Sequence, residues 1–254
     1  MTGVRAVLLD LDGTLFEDRR PLPGAPETVQ RLRASGCAVR FVTNTTERSH
    51  REVLEDLCRM GFTEDAEELY TAPVVAAKWL RREGIDRVVL LVPPATREDF
   101  ASLAVDEEHP EAVVAGDLGE AWDFALLNRA FRWLRGGARL VALQKNRYWQ
   151  REGELVLDAG PFIAALEFAA GVEAVVVGKP SAAFFAVAVD GLGVAAGSVA
   201  MVGDDVQNDV GGAQRAGLRG VLVRTGKYRP GDEQGAIVPD FIVDSVADLP
   251  DVIR

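Results

Sequence analysis

Asp10 and Asp12 close a short apolar run, Val4-Arg5-Ala6-Val7-Leu8-Leu9, and Gly13-Thr14-Leu15 follow them. A strand buried on both faces should not end in paired acids unless something beyond it needs the charge, because an isolated carboxylate is costly to take out of water. Such a pair can hold a metal ion, attack an electrophile or move a proton. Polar groups recur at the ends of three further apolar runs: Thr43-Asn44 after Ala38–Val42, Lys179 after Ala174–Gly178, and Asp204, Asp205 and Asp209 after Val199–Gly203. A nucleophilic carboxylate, hydroxyl and amide donors, a cation and metal-binding acids are what phosphoryl transfer requires. Taken singly, each has a plainer account. Asp-Gly is a turn, Thr43-Asn44 is a helix entry, Gly178-Lys179-Pro180 is a turn with an exposed lysine, and Asp204 and Asp209 are caps. The joint pattern, in order and each time after a strand, favours the chemical account.

The elements that must position these residues alternate. Pro26–Ser35 has helical spacing with Val29 and Leu32 on one face and Gly36 beyond its end; Ala38–Val42 is a strand; Glu47–Met60 is a helix carrying Val53, Leu54 and Leu57. The last third alternates in the same way, with a strand at 174–177, a helix from Ser181 to Leu192, a strand at Val199–Val202, a helix from Asp209 to Ala216, strands at Gly220–Val223 and Phe241–Val243, and a closing helix over Val246–Ile253. Strand and helix alternating at this pace predict a doubly wound parallel sheet, whose strand ends open on one edge and gather residues distant in sequence. The middle differs in texture. It carries Trp122, Trp133 and Trp149, a helical run Ala121–Leu134, and a strand pair Arg147–Trp149 and Leu155–Leu157 around Glu152-Gly153-Glu154. Only one helix fits between Asp10 and Thr43, whereas the interval from Asn44 to Lys179 is far longer than one crossover needs. The expected organisation is therefore a discontinuous core, 1–74 and 174–254, with an inserted α/β module at 75–173.

With 254 residues the chain can bury a full core, and its net charge of −11 comes without a basic run. Nucleic acid is a poor partner for such a surface, although a phosphate substrate is not, since a bound divalent cation reverses the local field. No apolar stretch approaches the roughly 18–20 residues of a membrane span. The first strand starts too early for a signal peptide, and Cys37 and Cys58, both in segments that read as core-forming, are expected as free thiols in a cytoplasmic protein. His50 and His109 have no suggested nucleophile partner, and the tryptophans read as core.

The four segments together resemble the four motifs of the haloacid dehalogenase superfamily, whose members are mostly Mg²⁺-dependent phosphatases. Gly203–Asp209, Gly211–Gly217 and Arg224–Tyr228 resemble its NagD-like branch, subfamily IIA, which carries a C2 cap. Val177–Pro180, Arg147-Tyr148 and Gly160-Pro161-Phe162 are most similar to pyrophosphate and phosphoramidate phosphatases of that branch and to their hydrolase-domain relatives. The resemblance implies an α/β fold, a doubly wound parallel Rossmann-like core with an inserted α/β C2 cap, the cap placing specificity in residues 115–160. It supports Asp10 as the nucleophile that forms an aspartyl phosphate and Asp12 as general acid/base. Mg²⁺ would be held by Asp10, the backbone carbonyl of Asp12 and Asp204, and the phosphoryl group by Thr43, Asn44 and Lys179. Asp209 would orient Lys179 or a metal-bound water; Asp205 would reach the metal through water or cap the following helix.

The implied partner is a small phosphorylated substrate, with no nucleic acid and no membrane, and a homodimer through the cap is allowed. Some animal relatives carry Ser where Asp12 stands. The acid at this position implies ester hydrolysis with poor leaving groups rather than phosphoramidate or pyrophosphate cleavage alone. Two other classes share these residue types. Receiver domains phosphorylate an aspartate on a later strand and are about half this length, and a silent phosphate-binding protein has no need of both Asp10 and Asp12.

Overall fold

The computed structural model describes residues 3–151 and 154–253. The chain forms two compact units, one of Met1–Thr43, Arg51–Tyr70 and Lys179–Arg254, the other of Asn44–His50 and Thr71–Gly178.

The first unit is built on short apolar strands, which cannot face water and so form a sheet covered on both sides. Its six strands run in the order Phe241–Val243, Arg219–Val223, Val199–Gly203, Ala6–Asp10, Ala38–Thr43, Leu69–Thr71. The first five pair in parallel. Every residue of Ala6–Asp10 is buried, and Leu9 stands between Val202 on one neighbour and Phe41 on the other. The chain leaves this strand in one direction toward Ala38–Thr43 and returns on its other side at Val199–Gly203, so Asp10 lies at the point where strand order reverses and open α/β sheets bind ligands. One face of the sheet packs Val7, Leu9, Phe41, Val202 and Val221 against Val29 and Leu32 of the helix Ala25–Ala34 and against Val53 and Leu57.

The second unit has its own five-stranded parallel sheet, in the order Val175–Val176, Arg139–Ala142, Ala112–Ala115, Arg87–Leu91, Ala104–Val105. Alternation along each strand separates two cores. Val88, Leu90, Ala112, Val114 and Val141 meet Ala76 and Leu80 of the helix Ala72–Arg82. Val89, Leu91, Val113, Ala115, Leu140 and Ala142 meet Ala130, Leu134, Ile163 and Leu166 of the helices Phe124–Arg135 and Ala159–Ala170. The antiparallel pair expected near Trp149 is present as Tyr148–Arg151 and Glu154–Leu157; Glu152 and Gly153 of its turn lie outside the described residues.

Several elements differ from expectation. The strand at Val175–Val176, assigned from sequence to the first sheet, joins the second, where the Val177 N–H extends the pairing to the Ala142 carbonyl at 2.9 Å. A short β-branched run states that it is a strand but not which sheet takes it. The helix expected from Ala121 starts at Phe124, because Asp123 caps it by accepting from the Leu126 N–H at 2.7 Å. The run from Asp209 opens instead as a wide π turn at Val206–Gly211 before the helical turn Gly212–Arg215. The closing helix is two pieces, Val246–Asp248 and Leu249–Val252, started by a reciprocal cap between Ser245 and Asp248. Of the two free thiols Cys37 is buried, whereas Cys58 is exposed rather than core-facing. Trp122 is buried and stacks on Phe162 with ring centres 5.1 Å apart. No helix is long and apolar enough to cross a membrane among the described residues.

Candidate active site

Asp10 ends the central strand and is buried. Lys179 Nζ donates to Asp10 Oδ1 at 2.5 Å and to Asp209 Oδ1 at 2.7 Å, so one buried ammonium bridges two buried carboxylates. The other oxygen of Asp209 accepts from the Asp205 N–H at 3.2 Å, which commits that carboxylate on both sides. Burial works against the Lys179 charge, but Asp10 and then Asp209 overcome it and raise its pKa above the ordinary lysine value. Burial pushes Asp209 upward, with Lys179 opposing.

Asp204 follows the strand Val199–Gly203. Its Oδ2 accepts from the Lys227 N–H at 2.7 Å, while its Oδ1 is buried without a hydrogen-bond partner among the described residues. Burial, then the charge of Asp10, push its carboxyl up to about 6. Two glycines let the chain pass this close. At Gly13, φ +80°, and at Gly226, φ +58°, an added Cβ would lie 2.1 Å from Asp204 Oδ2. The Thr225 hydroxyl donates to the Gly13 carbonyl at 2.5 Å and joins the two turns around that carboxylate.

One oxygen each of Asp10, Asp204 and Asp209 lies within 4.8 Å of the others. Three carboxylates around one buried ammonium leave two negative charges, and the orphaned Asp204 Oδ1 has no donor to offset its desolvation. This is the deficit a hard divalent cation removes, with an all-oxygen donor set of the kind Mg²⁺ takes. Both oxygens of Asp209 are engaged, by Lys179 and the Asp205 N–H, whereas Asp10 Oδ2 and Asp204 Oδ1 are the oxygens that could take such an ion.

Asp12 is exposed, and its backbone bridges to Phe16. Thr43 is buried one residue beyond Val42, the partner of Asp10 in the neighbouring strand. Asn44, next in sequence, belongs to the second unit. Asp205, left open between two roles, makes the cap: it accepts from the Gln207 N–H at 3.0 Å, the Asn208 N–H at 2.9 Å and the Asn208 amide at 2.8 Å. Burial would raise its pKa, but the two Asn208 bonds and Lys227 hold it below the ordinary carboxylate value. Sequence reasoning read Gly13 as a turn residue and Thr225, Gly226 and Lys227 as part of the resemblance, and placed none of them around Asp204. The glycine after Thr225, past a strand end, was the available signal.

Residues 7–106 match the family model for haloacid dehalogenase-like hydrolases and residues 176–249 match the HAD-hydrolase-like model. The chain is 44% identical over 231 residues to haloacid dehalogenase-like hydrolase domain-containing protein 2 from Bos taurus, covering 91% of this chain and 88% of that protein. It is 40% identical over 260 residues to the human phospholysine phosphohistidine inorganic pyrophosphate phosphatase, covering 100% and 95%. Among solved structures, the glycerol phosphate phosphatase from Mycobacterium tuberculosis in complex with magnesium matches with a TM-score of 0.84 and 32% identity, over 97% of this chain and 76% of that one. The chain belongs to the haloacid dehalogenase-like hydrolases. Within them it is a NagD-like member and a phosphatase of that family.

Proposed function

We propose that the protein is a Mg²⁺-dependent phosphatase of small phosphorylated metabolites that works through an aspartyl phosphate. The observation that carries this reading is the buried Asp10–Lys179–Asp209 chain beside the unpartnered oxygen of Asp204. An Asp10 oxygen attacks phosphorus while the bond to the leaving oxygen breaks, and Asp12 gives that oxygen its proton. Asp12 then takes a proton from the water that attacks the same phosphorus, which releases phosphate and restores Asp10. Lys179 offsets charge that Asp10 and the phosphoryl oxygens would otherwise repel, and Thr43 and Asn44 donate to those oxygens. Asp209 holds Lys179 in place, and Asp205 fixes the turn that carries Asp209. Mg²⁺, held by Asp10, Asp204 and the Asp12 carbonyl, supplies further neutralisation of the phosphoryl charge when bound.

The second unit, expected as a C2 cap, is where we place selection of the leaving group. Because Asp12 is present, phosphate esters with poor leaving groups are the favoured class. The human relative's named substrates, inorganic pyrophosphate and phosphoramidates, are the alternative on the same residues. With Mg²⁺ the protein should hydrolyse 4-nitrophenyl phosphate, EDTA should stop it, and Asp10→Asn should be inactive. Turnover that survives Asp10→Asn would remove the proposed nucleophile.

A further inference from the structure

Directly after the catalytic strand the chain makes a small hairpin, Phe16–Glu17 against Arg20–Pro21. Its base is tied to Asp12. Asp12 bridges to Phe16, the Gly13 N–H donates to the Phe16 carbonyl at 2.8 Å, and the Leu22 N–H donates to the Leu15 carbonyl at 2.9 Å. Its tip is Asp18-Arg19, at φ 46° and 59°, the two non-glycine residues with positive φ among those described. Left-handed backbone at a residue with a side chain is strained and persists where surrounding contacts over-determine it. The contact here is specific. Arg19 Nε lies 3.3 Å from Asp56 Oδ2, and the Asp56 side chain is 2% exposed while that of Arg19 is 63% exposed.

Asp56 sits on the helix His50–Arg59, beside the core residues Val53 and Leu57. Arg59, one turn along the same helix, also pairs with it. Arg59 belongs to the same helix as Asp56, whereas Arg19 reaches that carboxylate from a distant part of the chain. A buried carboxylate resists losing a partner, so departure of the hairpin tip is penalised at Asp56.

We infer that Arg19 and Asp56 are positioning residues: their ion pair clamps the hairpin Phe16–Pro21 and, through Phe16, holds the Asp12 backbone so that its carboxyl stays aligned with the leaving oxygen. This inference rests on Asp12 acting as the general acid. Loss of the clamp weakens proton delivery; because the Asp12 carbonyl is also a proposed Mg²⁺ ligand, the comparison is made at saturating Mg²⁺, where phosphate binding and nucleophilic attack stay in place. The effect falls on substrates that need the proton. Alkyl phosphates such as glycerol phosphate need it; 4-nitrophenyl phosphate, with a stable leaving anion, scarcely does.

The test compares kcat/KM for these two substrates, at saturating Mg²⁺, in wild type, Arg19→Ala, Arg19→Lys, Asp56→Asn and Asp12→Asn. General acid catalysis is worth roughly 10²–10⁴-fold, and imperfect alignment should forfeit part of that, about 10-fold, on glycerol phosphate with little change on 4-nitrophenyl phosphate. Arg19→Lys should recover most of the loss. Arg19 lies at the surface, so its variants test the clamp even where Asp56→Asn folds poorly. Equal losses on both substrates, or no loss, in the Arg19 variants would overturn the clamp if Asp12→Asn still separates the two. If Asp12→Asn itself fails to separate them, the acid/base reading falls and the clamp falls with it.

Discussion

Replacing Lys179 by Met removes the single ammonium that bridges Asp10 and Asp209. The carboxylates of Asp10, Asp204 and Asp209 have oxygens within 4.8 Å of one another, and two unit charges at that distance repel by about 3.5 kcal/mol at an effective dielectric constant of about 20. Removing one partner of a buried pair costs about 3–5 kcal/mol in general, which agrees with that figure. Lys179→Met should therefore destabilise the metal-free first unit by roughly 3–5 kcal/mol at pH 7.5, while Asp209→Asn, which leaves Lys179 with Asp10, should cost less. The double variant should be more stable than the sum of the singles implies, because the second change removes a repulsion the first created.

All four tryptophans, at 79, 122, 133 and 149, fall in the second unit, so fluorescence follows that unit by itself. Urea unfolding should be recorded by far-ultraviolet circular dichroism together with tryptophan fluorescence, and the effect should appear in the dichroism transition that fluorescence does not report. Additivity within about 0.5 kcal/mol, or a Lys179→Met protein as stable as wild type, would refute the electrostatic account.

Other outcomes follow from the same charges and burial. Asp204→Asn should abolish Mg²⁺-dependent turnover and any rise in melting temperature on adding Mg²⁺, yet stabilise the metal-free protein at neutral pH. The Asp204 carboxyl is raised from 3.8 to about 6, so it favours folding while protonated, and that contribution is lost as pH rises through that window. A metal-free wild type that does not lose stability relative to Asp204→Asn between pH 4 and 6 would contradict this, as read by calorimetry across that range. Burial raises the Cys37 thiol from 9.0 to about 11, so its stabilising contribution should fade as pH climbs across that interval. Native protein at pH 8 should accordingly take up iodoacetamide at Cys58 and not at Cys37, which peptide mass spectrometry reads directly.

Much of the first unit was legible because its signals are local and strong. The strand Ala6–Asp10 announces itself by five buried apolar and acidic residues, Gly36 stops a helix, and Phe241–Val243 falls where expected. Asp10, Asp204 and Asp209 could be gathered from sequence because parallel strands open on one edge; Lys179 reaches them although the strand before it belongs to the other sheet. What escaped was settled by partners far away in the chain. Val175–Val176 has the residues of a strand in either sheet, and only its pairing with Val141 and Ala142 decides. The cradle around Asp204 depends on Gly13 meeting Gly226, and the two are more than two hundred positions apart. Asp56 reads as an ordinary helix-surface acid until Arg19 arrives beside it.

The second unit enters the chain chiefly as one stretch, Thr71–Gly178, bracketed by Tyr70 and Lys179, whereas Asp10, Asp12, Asp204, Asp205 and Asp209 all belong to the first. The division separates what must be kept from what can vary. Substitutions in that stretch repack around cores of their own, on either face of their own sheet, and leave the carboxylates proposed for catalysis their partners. With leaving-group selection placed there as proposed, a lineage built this way can try new specificities at little risk to its chemistry, and Lys179, the first residue past the stretch, marks where that freedom ends.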